Sequence, residues 1–371
     1  MITTNIDLRF SNNIGGISNF IRNVASNLSP NENIDYCGSS FWYRGRDKNQ
    51  YTWFKGKVHY SVLPERIVCN SKCVLPLSYE AATNVAPDIN LFFTYRLPKL
   101  HFRKPVISTI HDIILLRSKC ESNSVISEHE QILRRTIENS HHLLTVSLAS
   151  KGDLVDYFGI NPDMISIVHN GIDYDDLSNP ISESEREYVR KKYSLPNKFI
   201  LNFGAYRVHK NIERLIKAYS LLPMNLRKEY KLVLTRSSQT LDRLISEFNL
   251  TNDVIITGFV DEVDKKALYQ LADLVYYASL YEGFGVPIIE AQACHTPVLT
   301  SITSSMPEAA GDAALLVDPY SVDDIRDGIL LMINDSGLRE NLIRKGDINA
   351  MKYSWNKSAK EVELVLNNLS L

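Results

Sequence analysis

Hydrophobic residues in this chain fall into two textures: short uninterrupted runs, and longer stretches where they recur every third or fourth position. The first suits a strand buried on both faces, the second a helix with one apolar side. Leu274-Val275-Tyr276-Tyr277 is such a run. After it come a turn with two glycines, Glu282-Gly283-Phe284-Gly285, and then Pro287, placed for a first helical position. Ile288, Ile289, Ala291 and Ala293 fill a short helix that stops before His295-Thr296-Pro297, and Pro297-Val298-Leu299-Thr300 makes the next strand. Strand, glycine turn, helix and strand spell one right-handed parallel crossover.

The rest of the chain repeats that unit. Residues 1–10 predict a strand, Asn12-Asn13-Ile14-Gly15-Gly16 a glycine turn, and Ile17, Phe20, Ile21, Val24 and Leu28 an amphipathic helix. Residues 31–104 show no regular period. Strands follow over 105–110, 142–146 and 165–168, with a helix over 128–139. The polar stretch 178–197 holds a connecting helix, 183–193. Alternation then restarts, with strands over 199–203, 232–234 and 254–257 and helices from Ile212 and over 241–248 and 265–271. Three weakly amphipathic helices close the chain, the last from Trp355. This is an α/β protein of two doubly wound domains, and 371 residues suffice for two cores.

Composition excludes more than it assigns. A net charge of −2 gives no field for nucleic acid. No apolar run approaches the ~18 residues of a membrane span, and MITTNIDLRF lacks the basic start and apolar core of a secretory signal. The expectation is a cytoplasmic protein. Of the five cysteines, Cys69 and Cys73 stand four apart without a second pair, so buried reduced thiols are expected rather than zinc or disulfides.

In parallel sheets ligands gather at the carboxyl ends of strands, where helix starts attract anions. Glu282 and Glu290 flank such a start, and an acidic pair there suits sugar hydroxyls better than phosphate. His111-Asp112 closes the strand 105–110, a position that points into a crevice; alone, a satisfied structural histidine accounts for it better. Gly15-Gly16 alone reads as a tight turn. Two segments interleave aromatic and basic residues, 41–57 and 95–104, which suits sugar stacking or a lipid headgroup; taken singly, a solvated loop with its rings in the core explains each better.

The run E-G-F-G-x-P-x-x-E from Glu282 to Glu290 resembles the signature of retaining GT-B glycosyltransferases of the family-4 type. Ser304-Ser305-Met306-Pro307-Glu308, Ala310-Gly311-Asp312-Ala313-Ala314 and Val317-Asp318-Pro319 extend the likeness. So do Ser147-Leu148-Ala149-Ser150-Lys151-Gly152-Asp153-Leu154, with Ser147 as helix cap, and His169-Asn170-Gly171-Ile172-Asp173 at the domain junction. The resemblance implies a GT-B fold, two Rossmann-like domains facing a cleft: residues 1–175 for the acceptor, 176–354 for the nucleotide sugar, and 355–371 as a helix crossing back.

It also implies roles. Gly204-Ala205-Tyr206-Arg207-Val208-His209-Lys210-Asn211 resembles the family's basic loop, though Ala205 stands where an arginine is commoner. Lys210 would meet the diphosphate, with Arg207 or His209 as second cation. Gly15 and Gly16 would approach the donor phosphates, and the backbone of Gly283, Phe284, Gly285 and Val286 would cap them. Glu290 would accept the ribose hydroxyls, Glu282 would hold the donor sugar, and His111 would reach that sugar or its phosphate. Lys210 and Glu290 are expected to be exposed.

Catalytic roles thus fall to His111, Glu282 and Lys210, without metal or other cofactor, and with retention by front-face attack or double displacement. Asp173-Tyr174-Asp175 spells the metal motif of GT-A glycosyltransferases, but it lies at the junction without further ligands. The leading donor is GDP-mannose, with rhamnose, galactose and glucose also in range. The leading acceptor is a saccharide on a polyprenyl diphosphate, as in O-antigen or capsule assembly, reached by peripheral contact with the inner membrane face. Alternatives are a sugar-nucleotide epimerase or phosphorylase, and an inactive sugar-nucleotide-binding partner. A nicotinamide dehydrogenase is weaker, because the third glycine is missing.

Overall fold

The computed structural model describes residues 2–12, 15–42, 51–70, 73–118 and 121–369. The chain divides into two units: Met1–Gly171 with Trp355–Leu371, and Ile172–Ser354. The division falls a few residues before the 175/176 boundary expected from sequence.

The first unit carries a seven-stranded parallel sheet of β1 (Ile2–Asp7), β2 (Ile34–Trp42), β3 (Lys57–Pro64), β4 (Ile89–Phe92), β5 (Val106–Thr109), β6 (His142–Thr145) and β7 (Ile165–Ile167). Their order is β3-β2-β1-β4-β5-β6-β7. The order reverses beside β1, so the crevice of this sheet opens at the carboxyl ends of β1 and β4. Gly15 and Gly16 follow β1, and Thr94 to Arg96 follow β4.

The second unit carries β8 (Lys198–Asn202), β9 (Tyr230–Leu234), β10 (Val254–Ile256), β11 (Leu274–Tyr277), β12 (Val298–Ser301) and β13 (Leu315–Val317). These pair in parallel in the order β10-β9-β8-β11-β12-β13. Its reversal lies between β8 and β11. The loop ending at Lys210 leaves β8 and the turn holding Glu282 leaves β11, so topology alone carries both to one switch point.

The stretch without a period, 31–104, contains β2, β3 and β4. β2 was illegible because its buried centre is Gly38-Ser39-Ser40 rather than a run of aliphatics. Hydrogen bonds replace apolar contact there: Ser39 Oγ meets the Tyr79 hydroxyl at 2.6 Å and Ser40 Oγ meets Tyr51 at 2.8 Å. A Cβ on Gly38 would lie 2.7 Å from Leu8 Cδ1, so a larger residue there would push that side chain aside. Nearby, Arg9 is wholly buried and its Nε reaches Asp7 Oδ1 at 2.8 Å, while Nη2 donates to the Arg96 carbonyl. That buried pair fixes the end of β1 against the end of β4.

In the aromatic–basic segments the reading with rings in the core holds for the described residues. Residues 43–50 of the first lie outside the described residues, and Phe41, Tyr51 and Phe54 are buried. In the second, Leu97 and Leu100 are buried, and Phe102 packs on Tyr79 and Phe92. The rings belong to the core, leaving Arg96, Arg103 and Lys104 exposed. The thiols depart from the buried set expected: Cys294 is buried, Cys37 and Cys69 are half-buried and Cys73 is exposed. Cys120 lies outside the described residues. Gly171 does not adopt the positive φ that Asn-Gly suggests. Among the described residues no helix is long and apolar enough to cross a membrane.

In the first unit the helix Trp355–Asn368 packs on Gly16–Asn27. Trp355 meets Phe20 edge-on with ring centroids 6.2 Å apart, and Ser358 Oγ donates to the His169 carbonyl at 2.6 Å.

Candidate functional site

The second unit brings Lys210 and Glu282 together. A 3-10 turn, Val208–Lys210, leads into Asn211, whose left-handed φ of 60° redirects the chain into the helix Ile212–Ser220. Asn211 does not cap that helix. Its Nδ2 donates to the carbonyls of Ala278 at 3.1 Å and Pro319 at 2.7 Å, tying the basic loop to the ends of β11 and β13. The Leu280 amide donates to the His209 carbonyl at 2.7 Å, a second tie. On the other side, Ser304 Oγ and Ser305 Oγ both donate to the Glu282 carbonyl at 2.9 Å. The serines of the S-S-M-P-E run therefore hold the backbone of Glu282.

Between these anchors Lys210 Nζ lies 2.6 Å from Glu282 Oε1, and its aligned hydrogen bond goes to the Tyr277 hydroxyl, also at 2.6 Å. The ammonium lies 4.8 Å from the centre of the Tyr277 ring, on its hydroxyl edge. Burial disfavours the charge on Lys210, but Glu282 and Tyr277 outweigh it and hold the pKa above the ordinary lysine value. Lys210 is thus a fixed, half-buried cation rather than the exposed side chain expected. Burial pushes the His209 imidazole down, Glu282 opposes this, and Lys210 and Arg207 add to it. Arg207 is exposed.

Gly285 takes φ 110° and starts the helix Val286–Ala293 without any side chain capping it. Pro287 falls at the second helical position rather than the first. Phe284 is buried and packs edge-on against Tyr353, while Val286 is half-exposed. Glu290, one turn along, is only 8% exposed, again contrary to the expected exposure. Its Oε1 lies 2.6 Å from Lys265 Nζ, and its Oε2 accepts from the Tyr269 hydroxyl at 3.1 Å. Burial opposes the charge on Lys265, and Glu290 more than restores it.

In the first unit, Gly15 takes φ 136° at the start of Gly16–Asn27, where a Cβ on either glycine would meet nothing within 4 Å. Both glycines line a cavity of about 370 Å³ with Thr94, Tyr95 and Arg96. Arg96 and Phe10 also line a second cavity, of about 830 Å³, with Lys99, Arg135, Glu65 and Glu128.

His111 is not an open crevice residue. Its ring lies edge-on to Phe20 at 4.9 Å, and Nε2 lies 3.1 Å from the Phe93 carbonyl. A carbonyl only accepts, so Nε2 carries the proton and Nδ1 is the acceptor. Burial pushes this imidazole down to about 4, against the pull of the carbonyl. Between pH 6.5 and 4 the unfolded chain then binds a proton that the folded one refuses, so stability falls as pH falls, by roughly 3 kcal/mol in all. The drop in melting temperature from pH 7 to 4.5 should be smaller in His111→Asn; equal drops would refute this burial effect.

Asp173 Oδ1 accepts from the Asp176 amide at 3.2 Å, so this carboxylate of the D-x-D caps the helix Tyr174–Ser178. Among the described residues no three His, Cys, Asp or Glu side chains gather as a metal site. Sequence reasoning missed Tyr277, Lys265 and Tyr269. Lys265 and Tyr269 were detectable only as a pair four apart on a predicted helix.

The family model described as Glycosyl transferases group 1 matches residues 185–348, and that described as Glycosyltransferase Family 4 matches residues 14–176. The chain is 32% identical over 272 residues to O-antigen chain mannosyltransferase B of Escherichia coli, covering 72% of this chain and 69% of that protein. It is 29% identical over 297 residues to the serotype-specific mannosyltransferase WbdA of Escherichia coli, covering 75% of this chain but only 36% of that one. Among solved structures, Anabaena HepE in complex with UDP and glucose superposes with a TM-score of 0.73 at 17% identity, over 100% of both chains. The two parallel sheets and this likeness give a GT-B fold.

Proposed function

The chain belongs to the family-4 glycosyltransferases, and from that premise we propose that it transfers mannose from GDP-mannose, with retention, to a growing lipid-linked saccharide. Glycosyl transfer follows from the family. The choice of mannose leans on the Escherichia coli mannosyltransferases that the chain resembles.

The observation that carries the chemistry is the half-buried Lys210–Glu282 pair set against the buried Tyr277. Breaking the bond from the anomeric carbon to the diphosphate gathers negative charge on the leaving group. A cation fixed in advance in a partly dehydrated place stabilises that charge most. In the resting state Glu282 satisfies Lys210. With donor bound, the diphosphate takes over the ammonium, and Glu282 turns its acceptors to the sugar hydroxyls. Arg207 is the second cation, since His209 is held toward neutrality. The uncapped start of Val286–Ala293 adds its dipole.

In the first unit Gly15 and Gly16 admit the donor phosphates, because neither carries a side chain into the cavity that they line. His111, neutral and accepting through Nδ1, suits a sugar hydroxyl rather than a phosphate. Arg96, Lys99 and Arg135 around the larger cavity suit an acceptor bearing phosphate. In the second segment peripheral membrane contact rests on the exposed Arg96, Arg103 and Lys104, its rings packing into the core.

The test is transfer to a polyprenyl-diphosphate-linked oligosaccharide with GDP-mannose, UDP-glucose and UDP-galactose in turn, with and without EDTA. Mannose transfer that survives the chelator is expected. Transfer only from a UDP-sugar overturns the donor, and full loss restored by manganese overturns metal independence. Interconversion of the sugar nucleotide without acceptor would favour the epimerase.

A further inference from the structure

We infer that Lys265 and Tyr269 are positioning residues for the nucleotide ribose, acting through Glu290; this rests on Glu290 being the ribose acceptor. The two side chains stand four apart on the helix Lys265–Leu271 and so share a face. Each holds one oxygen of the same carboxylate: Lys265 Nζ at 2.6 Å from Oε1, the Tyr269 hydroxyl at 3.1 Å from Oε2.

A carboxylate offers about two acceptor positions on each oxygen. Held in this way, Glu290 keeps one position open on each, which matches the paired hydroxyls of a ribose. A carboxylate held by one oxygen could still turn about its own axis and present its lone pairs elsewhere. Two holds, one per oxygen, remove that freedom before the ligand arrives.

The clamp is itself fixed. Tyr269 is fully buried, its carbonyl accepts from Thr296 Oγ1 at 2.7 Å, and its ring packs on Phe203. Lys265 is steadied by Glu262 at 2.9 Å. Lys265 has a second effect. It offsets the charge of Glu290, which otherwise would stand unopposed one helical turn from the proposed diphosphate site and repel it.

The experiment is calorimetric binding of GDP, UDP and their 2′-deoxy forms to the full chain. The unmodified protein should prefer a ribonucleotide over its deoxy form by about tenfold, the worth of one hydrogen bond. Glu290→Gln should abolish the preference. Lys265→Met and Tyr269→Phe should each shrink it by lowering ribonucleotide affinity while deoxynucleotide affinity holds. Lys265→Arg should restore it. Lys265→Met added to Glu290→Gln should change nothing further, because the lysine acts only through the carboxylate.

If Glu290→Gln erases the preference but Lys265→Met and Tyr269→Phe both keep it, the inference is overturned. Equal loss of both nucleotide forms in Lys265→Met would mark a structural ion pair and overturn it too. A preference that survives Glu290→Gln, or no binding of GDP or UDP at all, overturns instead the reading of Glu290. Should Lys265→Met not fold, Tyr269→Phe, which keeps the ion pair, decides.

Discussion

Turnover in Lys210→Met should fall by roughly 10²- to 10³-fold, the usual cost of removing one preorganised charge from a leaving group. The substitution keeps the length and apolar stem of the side chain, so the loop from Gly204 to Asn211 stays anchored through Asn211 and His209. What disappears is the ammonium 2.6 Å from both Glu282 and Tyr277. Single-turnover rates with saturating donor separate this from weaker binding, since a charge used mainly in the transition state lowers the rate more than the affinity. A rate within threefold of the unmodified enzyme would refute the role.

Stability should fall as well, which the sequence alone argues against. Lys210 looks like a loop charge, and surface charges change stability by about ±0.5 kcal/mol. In the structure its partner Glu282 is mostly buried, so removing the cation strands a carboxylate that burial already disfavours.

The difference between those two expectations marks what was legible in the chain. Lys210, Glu282 and Glu290 could be found because glycines, prolines and their spacing fix where a loop turns and a helix starts. Topology then carries the loops after β8 and β11 to one switch point. Burial was not legible at the same positions, because it depends on Tyr277 and Tyr269, which read as ordinary strand and helix apolars. Their hydroxyls become site groups only once β11 and the helix Lys265–Leu271 are packed. His111 shows the same limit. Its place after β5 was plain, but its closure depends on Phe20 and the Phe93 carbonyl, distant in sequence.

Strands β2 to β4 were lost for a different reason. Hydrophobic patterning assumes that buried faces are apolar, and β2 buries glycine and serines held by Tyr79 and Tyr51. Asn5, Asn90 and Glu80 continue this polar interior beside β1 and β4: Asn5 Nδ2 donates to Asn90 Oδ1 at 3.3 Å, and Asn90 Nδ2 to Glu80 Oε1 at 2.9 Å. No period in the sequence encodes such a network, because its partners lie on different elements.

Glu290→Ala should be the most damaging single change in the second unit, lowering both nucleotide affinity and stability. Truncation leaves Lys265, whose side chain is 14% exposed, with the exposed Glu262 as its remaining ion-pair partner among the described residues. Breaking a buried pair from one side costs about 3–5 kcal/mol, because the charge left behind is uncompensated. The Tyr269 hydroxyl loses its acceptor in a fully buried position and adds about 1–3 kcal/mol. Glu290→Gln should cost less, since the amide oxygen can still accept from one partner. Added Lys265→Met should recover part of the loss in Glu290→Ala by removing the stranded charge, while affinity for nucleoside diphosphate stays low. Urea titrations of the three variants, read alongside calorimetric binding, check both halves. If Glu290→Ala unfolds at the same denaturant concentration as the unmodified protein, the pair contributes nothing to the fold and Lys265 must be free to leave Glu290 in solution.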